Sequence, residues 1–333
     1  MKRAAWLVIP WLLFIAAALG WVGYWFYLAG QIETRLAAWA EGERERGAQV
    51  SYEAPKRHGF PTLMRLELAE VSYAPAETPW RATTARIDIN VNVLNPHHLI
   101  AEAKAPIALS RSDGSVTNIE ADALLASVRM NGDALAQAGI EADNLRLDDP
   151  AKEGVFTAVK LVANVRPDAR AAGEYQLALE VTGMHLPRPV RSFEQFGLDL
   201  PRFNAAIVAE HGAELLNNTE GDPLEPWREA GGRLRFEALA LHWGPLEVTG
   251  TGQGGLDDQR RLQGALNLPI ERPAPIFRAL AEAPELDEST KQALTLLAIG
   301  YTVSGDDITL DVEANNGVMR LEGLSVRTLP PVY

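Results

Sequence analysis

The sequence contains no cysteine. A disulfide framework, thiolate metal sites and thiol nucleophiles are therefore excluded together. Basic residues are in short supply: 31 Lys and Arg stand against 44 Asp and Glu, a formal net charge of −13. Such a chain repels phosphate backbones, so no nucleic-acid partner is expected. It also repels anionic headgroups, which argues against broad electrostatic adhesion to a membrane surface. Histidine occurs only at His58, His97, His98, His185, His211 and His242. None forms an H-x-x-x-H or H-E-x-x-H pair that would set two imidazoles on one helical face. His97 and His98 come after Pro96 in a turn, and neighbours on an extended chain point to opposite faces. No serine lies in a G-x-S-x-G elbow.

Carboxylates are abundant, as in Asp148-Asp149, Asp257-Asp258, Asp287-Glu288 and Asp306-Asp307. Each pair falls in a turn or at a helix start, where turn and cap chemistry accounts for it. Nothing singles out a glycosidase pair. Gly250-Thr251-Gly252-Gln253-Gly254-Gly255 fits G-x-G-x-x-G, with Glu271 downstream where a ribose-binding acid would stand. That fingerprint must open a helix, whose N-terminal N–H groups hold a pyrophosphate. Here residues 256–261 lead at once into a strand-like stretch at 262–268. The glycines are read instead as permitting strand curvature or a close backbone approach. Asn217-Asn218-Thr219 fits a glycosylation sequon, which matters only in a eukaryotic secretory context. Catalytic, metal and cofactor residues are thus expected to be none.

The most informative segment is residues 4–30, which carry no charge. About 20 apolar residues suffice to cross a hydrocarbon core as a helix. Trp6, Trp11, Trp21, Tyr24, Trp25 and Tyr27 sit toward the two ends of the run, as interfacial aromatics do. Lys2 and Arg3 precede it, so the positive-inside rule keeps the N-terminus cytoplasmic and exports the chain beyond Gly30. Ala16-Ala17-Ala18 offers a cleavage site of A-x-A type, but the run continues apolar well past it, beyond the length of a signal h-region. Residues 1–30 are therefore expected to be a retained transmembrane anchor. Residues 31–47 read as an amphipathic stalk helix, with Ile32, Leu36, Ala37, Trp39 and Ala40 near one face to lie on the adjoining domain.

Beyond Val50 the period changes from helical to two. The clearest case is Ala85-Arg86-Ile87-Asp88-Ile89-Asn90-Val91-Asn92-Val93. Less strict alternation recurs at 64–68, 159–165, 175–181, 246–248 and 308–312. Alternation means one buried and one wet face, as in an antiparallel sheet. Asp113-Gly114, Asn131-Gly132, Asn316-Gly317 and Gly305-Asp306 supply turns between strands. A short helix is expected at 222–230, with Pro223 and Pro226 near its start. A helical hairpin is expected at 275–283 and 288–299, with Asp287 as N-cap and Gly300 as its end. In its second helix Ala293, Leu294, Leu296, Leu297 and Ile299 are expected to pack on the sheet. The fold class is mainly β (α+β): a transmembrane helix, then a curved antiparallel sheet with a few packed helices and a C-terminal helical hairpin. Residues 48–333 form the β-rich domain, divided into two similar halves at about 48–185 and 186–333. Strand, turn, strand recurs in a similar layout at 64–93 and 232–270.

An ordered set of segments carries a family resemblance. It comprises the anchor and amphipathic helix, Arg57-His58-Gly59-Phe60-Pro61, and Val93-Leu94-Asn95-Pro96-His97-His98-Leu99-Ile100. It continues with Trp227-Arg228-Glu229-Ala230-Gly231-Gly232-Arg233-Leu234, Leu241-His242-Trp243-Gly244-Pro245-Leu246 and a final Leu329-Pro330-Pro331. Over nearly its whole length the chain resembles the bacterial envelope family called domain of unknown function 2125. Gly59, Phe60, Pro61, Trp243, Gly244 and Pro245 stand out as candidate structural motifs. The layout is in turn similar to AsmA-like inner-membrane proteins implicated in phospholipid transfer. The family brings no established activity or catalytic residues; together with the anchor and the alternating strands, the resemblance points to a non-enzymatic protein of the bacterial inner membrane with its main domain periplasmic. The leading expectation is that a sheet face left uncovered binds lipid for envelope assembly or homeostasis; alternation alone does not distinguish such a groove from an ordinary filled core and, taken by itself, favours the filled core. A scaffold for another envelope protein is the second expectation and a periplasmic hydrolase the third. Fold alone decides among none of these.

Overall fold

The computed structural model describes residues 2–76, 78–132, 134–150, 153–217, 222, 224–284 and 286–333. It is mainly antiparallel β-sheet with five α-helices among the described residues. The chain divides into two compact units at 134/135. The expected halves, meeting at 185/186, do not coincide with that division.

Unit 1 begins with one unbroken helix, α1 (Lys2–Glu45), in which Pro10 sits near the start. The expected anchor and stalk are therefore a single rod, long and apolar enough to cross a membrane. Seven strands come next: β1 (Gln49–Ser51), β2 (Lys56–His58), β3 (Leu63–Ala74), β4 (Trp80–Asn92), β5 (Asn95–Arg111), β6 (Val116–Glu120) and β7 (Ala123–Asn131). β1 and β2 both pair with β3, β4 joins β3 to β5, and β6 and β7 both pair with β5.

The strict alternation of β4 has its expected result. Register sets Met64, Leu66 and Leu68 opposite Val91, Ile89 and Ile87 on one face. α1 covers that face with Trp25, Leu28, Ala29 and Ile32, so in unit 1 the apolar sheet face is a filled core. The cover starts earlier than the expected stalk. Trp25 is 3% exposed, its indole N–H donates to the Leu63 carbonyl at 3.1 Å, and Trp21 donates to the Pro61 carbonyl at 2.9 Å. Part of the segment expected to lie in a membrane is thus packed on protein. Leu36 is half-buried, Ala40 is buried, and Trp39 lies exposed against Tyr73 at 6.0 Å between ring centroids.

The other face of the unit 1 sheet is ionic. Glu67, Asp88 and Glu102 stand side by side on three strands. Arg86 grips buried Asp88 with two bonds of 2.8 and 2.6 Å and reaches Glu67 at 3.2 Å, while Lys104 pairs with Glu102. Burial pushes the Asp88 carboxyl up, but the hydrogen bonds and charge of Arg86 outweigh it and hold it below the ordinary range.

Unit 2 contains the strands β8 (Ala134–Asp148), which starts at the unit boundary, β9 (Val155–Pro167), β10 (Tyr175–His185), β11 (Asp199–Glu210), β12 (Arg233–Trp243) and β13 (Leu246–Leu256). They continue with β14 (Leu262–Ile270), β15 (Ile308–Asn315), β16 (Val318–Leu321) and β17 (Leu324–Thr328). From β8 to β17 each strand pairs antiparallel with the next. Two helical insertions interrupt this meander. α2 (Ala213–Asn217) and α3 (Leu224–Glu229) lie between β11 and β12, and α4 (Ala274–Ala281) and α5 (Glu288–Ser304) between β14 and β15.

The hairpin α4–α5 forms as expected, with Phe277 stacked on Tyr301 at 5.5 Å. Asp287 caps α5, accepting from the Ser289 and Thr290 amides at 3.0 Å each. Two details differ from expectation. α5 runs through Gly300 and ends at Gly305, whose φ of +68° caps it; one interior glycine costs only about 1 kcal/mol, which packing outweighs. Gly305-Asp306 is accordingly a helix end, not a strand turn. Leu296 and Ile299 are exposed, together with Val303, because the buried stripe of α5 is Thr290, Leu294 and Ala298 at helical spacing. That stripe closes a core with Phe196, Trp243, Leu246, Ile270, Phe277 and Leu310.

Candidate ligand cleft

One end of the unit 2 sheet face is covered by α4 and α5; further along, the same face opens into a cleft. The register explains why. One row across the sheet reads Leu234, Gly254, Gly264, Ala314, Met319. Three adjacent strands place their smallest residues at its centre, so the sheet there has a floor almost without side chains. The next row, Phe236, Gly252, Leu266, Val312, forms one wall, and the Leu256–Leu262 pair forms the other.

The roof comes from outside the sheet. Leu224 and Trp227 of α3 and Leu329 and Val332 of the C-terminal tail close over the floor. Trp227 is buried and fixed by its indole N–H, which donates to the Glu210 carbonyl at 2.8 Å. The tail is strapped by backbone bonds from Leu329 to the Gly317 carbonyl at 2.7 Å and from Val332 to the Arg260 carbonyl at 2.8 Å. The resulting cavity has a volume of 340 Å³ and an almost wholly apolar lining. That is the size and character of small-molecule sites in general, ~300–1,000 Å³ and predominantly apolar.

A polar cluster holds the roof. Glu225 accepts from Arg228 at 3.0 Å, from Arg260 at 3.2 Å and from the Tyr333 hydroxyl, while the Arg260 guanidinium lies over the Tyr333 ring at 5.0 Å. Hydrogen bonds from Arg228, then Tyr333, draw the Glu225 carboxyl down to about 2. It is therefore ionised at neutral pH and acts as a pin between α3, the β13–β14 turn and the tail.

The apolar row continues beyond the cleft. Val165, Leu177, Ile207, Phe236, Gly252, Leu266 and Val312 succeed one another from β9 to β15. On β8–β10 that face is exposed at Ile140 (52%), Val159 (58%) and Leu177 (37%), while Ala142 and Val181 in the row between them are buried. Around the cleft, the opposite face of β12, β14 and β15 carries Arg235, Glu237, Asn267, Asp311 and Glu313.

The two candidate structural motifs belong to different units. Gly59-Phe60-Pro61 turns the chain from β2 into β3. Gly59 has φ +92°, and a side chain there would begin 2.6 Å from the Leu63 carbonyl. Trp243-Gly244-Pro245 turns β12 into β13; Trp243 donates to the Gly197 carbonyl at 3.0 Å and packs on Phe193 and Phe196. Neither motif lines the cleft. The glycines of the G-x-G-x-x-G segment all lie within strand β13, with no helix after them. Gly254 and Gly255 line the cleft directly, and Gly252 stands in the row of its wall. From the sequence these glycines read only as close backbone approach. No cluster of potential metal ligands occurs among the described residues. His185 pairs with Asp199 at 2.7 Å. Asp257 caps its own turn through Gln259 and Arg261. Pro223 of the expected helix start, and Asn218 and Thr219 of the sequon, lie outside the described residues.

The cleft itself is not legible in the sequence. Gly254, Gly264 and Ala314 stand far apart along the chain, and only strand register aligns them. The one available signal is the density of glycine in β13 together with a glycine inside an otherwise apolar β14.

No curated protein and no solved structure matches the chain. The family model described as an uncharacterised protein conserved in bacteria, DUF2125, matches residues 25–330, and the chain belongs to that family.

Proposed function

We propose that this is a non-enzymatic lipid-binding protein of the bacterial inner membrane, anchored by α1 with its β-rich units in the periplasm. The observation that carries the proposal is the cleft, roofed by α3 and the tail and lined by Leu234, Phe236, Leu256, Leu266 and Met319. Taking a methylene as about the size of a water molecule, roughly 30 Å³, 340 Å³ holds on the order of ten methylenes. Each buried methylene contributes about 0.8 kcal/mol. A chain of that length offsets the ~4–15 kcal/mol cost of association only in part or narrowly. The apolar residues exposed on β8–β10 would supply further contact.

The orientation rests on Lys2 and Arg3 ahead of the uncharged run. The non-enzymatic part of the reading rests on the sequence, in which no catalytic constellation stands out. Burial pushes Asp88 and Asp257 up, yet their arginine partners hold both below the ordinary range, and Glu225 is drawn down by Arg228. None of these three is poised as a general acid, which needs the opposite shift.

Native mass spectrometry of the full chain, released gently from membranes of bacteria rich in phosphatidylethanolamine, tests the proposal. Adducts of phospholipid or fatty-acid mass are expected. A chain that is empty in every preparation contradicts lipid binding.

A further inference from the structure

α1 changes environment at a definite point. From Ile9 to Gly20 every residue is exposed; from Trp21 onward one side of the helix packs on the unit 1 sheet. The stretch left for a bilayer is residues 4–20, about 17 residues or roughly 25 Å of helix, which is the short end of what spans hydrocarbon. There is no spare length to hold the sheet away from the lipid. Unit 1 must begin where the membrane ends.

Two turns lie at that level. The β2–β3 turn is tied to α1 by the Trp21 bond to the Pro61 carbonyl, and Phe60 packs edge-on against Trp25 at 5.9 Å. The β4–β5 turn meets the Tyr24 hydroxyl, 3.5 Å from the Val93 carbonyl. Each turn leaves a large apolar side chain unburied: Phe60 is 52% and Leu94 76% exposed. Both flank a helix segment rich in Trp and Tyr, the residues that settle at headgroup level. Further up the helix, about three turns beyond Trp21, the Glu33–Arg57 pair at 2.5 and 2.6 Å marks the start of the charged surface.

We propose that Phe60 and Leu94 are inserted in the lipid interface of the same leaflet, so that unit 1 is seated on the membrane at three points: α1 and two sheet turns. The partner is a lipid surface, chosen because both side chains continue the apolar surface of α1 at the level where its lipid-exposed stretch ends. The proposal rests on the anchor assigned under Proposed function. It also gives the Gly59-Phe60-Pro61 segment a role beyond turning the chain.

The chain has no cysteine, so a single introduced cysteine takes one label. An environment-sensitive fluorophore is placed at Phe60→Cys, Leu94→Cys, Ile15→Cys or Asp113→Cys in the full chain. Each variant is reconstituted in phosphatidylethanolamine–phosphatidylglycerol nanodiscs. Asp113 lies in the turn at the far end of β5, about 50 Å of strand away from Leu94. Labels at 15, 60 and 94 are expected to show blue-shifted emission and quenching by lipid-borne quenchers, and the label at 113 neither. Lipid signals at 15 with water signals at 60 and 94 would overturn the seating and leave the anchor intact. Water signals at 15 as well would overturn the anchor and the seating with it.

Discussion

Gly254 and Gly264 face each other across the β13–β14 ladder, and the two glycines are there for different reasons. A Cβ on Gly264 would lie 2.2 Å from the Gln253 carbonyl, and its φ is +152°. A Cβ on Gly254 would meet nothing closer than 3.4 Å and would point toward Phe236. The first glycine is demanded by the backbone; the second keeps the cleft empty.

Gly264→Ala is therefore expected to destabilise unit 2 by about 1–3 kcal/mol, the usual cost of forcing a side chain into such a conformation. Gly254→Leu is expected to leave stability within about 1 kcal/mol of the parent, since it fills apolar space. Yet it should abolish uptake of a fluorescent fatty acid. Chemical denaturation and fluorescence titration on the same two variants separate the effects. Equal destabilisation by both would contradict the distinction.

Trp25 contributes both volume and a hydrogen bond to the Leu63 carbonyl. Trp25→Ala should cost unit 1 about 3–5 kcal/mol. Trp25→Phe, which keeps most of the packing, should cost nearer 1–3 kcal/mol by leaving the carbonyl unpaired. Denaturant midpoints in detergent measure both. A negligible effect of Trp25→Ala would show that the helix is not docked on the sheet.

The pin on the roof is sensitive to acid. Glu225 ordinarily titrates near ~4.3 but is drawn down to about 2 in the folded chain. A depressed carboxylate contributes stability that is complete above its unfolded value and is lost as pH falls through the folded value of about 2. The strap should therefore be at full strength above pH ~4.3 and weaken progressively as the pH falls from there towards about 2. Tyr333→Phe removes one donor and should move the Glu225 titration upward, which carbon NMR of a selectively labelled chain can track. An unchanged titration would mean that the hydroxyl does not hold the carboxylate.

Asp287 closes the start of α5 with two amide bonds and two hydroxyl partners, Ser289 and Thr290. Asp287→Ala is expected to cost about 1 kcal/mol, and Asp287→Asn a few tenths. Thermal melts of both variants check this, and equal losses would point to charge rather than capping.

Much of the architecture can be read from residues alone because it rests on local physics. Alternation at 85–93 needs only a sheet with one dry face, and β4 has it. Asp287 ahead of a helical period needs only unsatisfied amides, and it caps α5. The end of α5 differs from the expected Gly300 because tertiary packing of Leu294, Ala298 and Tyr301 overrides one glycine's preference. The stretch of α1 that is exposed on every side is shorter than its uncharged run for a related reason. Trp25 and Leu28 are as apolar as any membrane residue, and only the structure shows what they face. The cleft lies at the far end of this scale. Its floor depends on Gly254, Gly264 and Ala314 falling in one row, and register is a property of pairing between strands, not of any one strand.

The central claim is that an acyl chain occupies the cleft in cells. A photoreactive residue at Met319, on the cleft side of β16, and one at Glu313, on the polar side of β15, test it most directly. Illumination of living bacteria should yield lipid adducts at position 319, none at 313, and none at 319 when Gly254→Leu fills the floor. Equal lipid capture at both positions, or capture at 319 unaffected by Gly254→Leu, would contradict it.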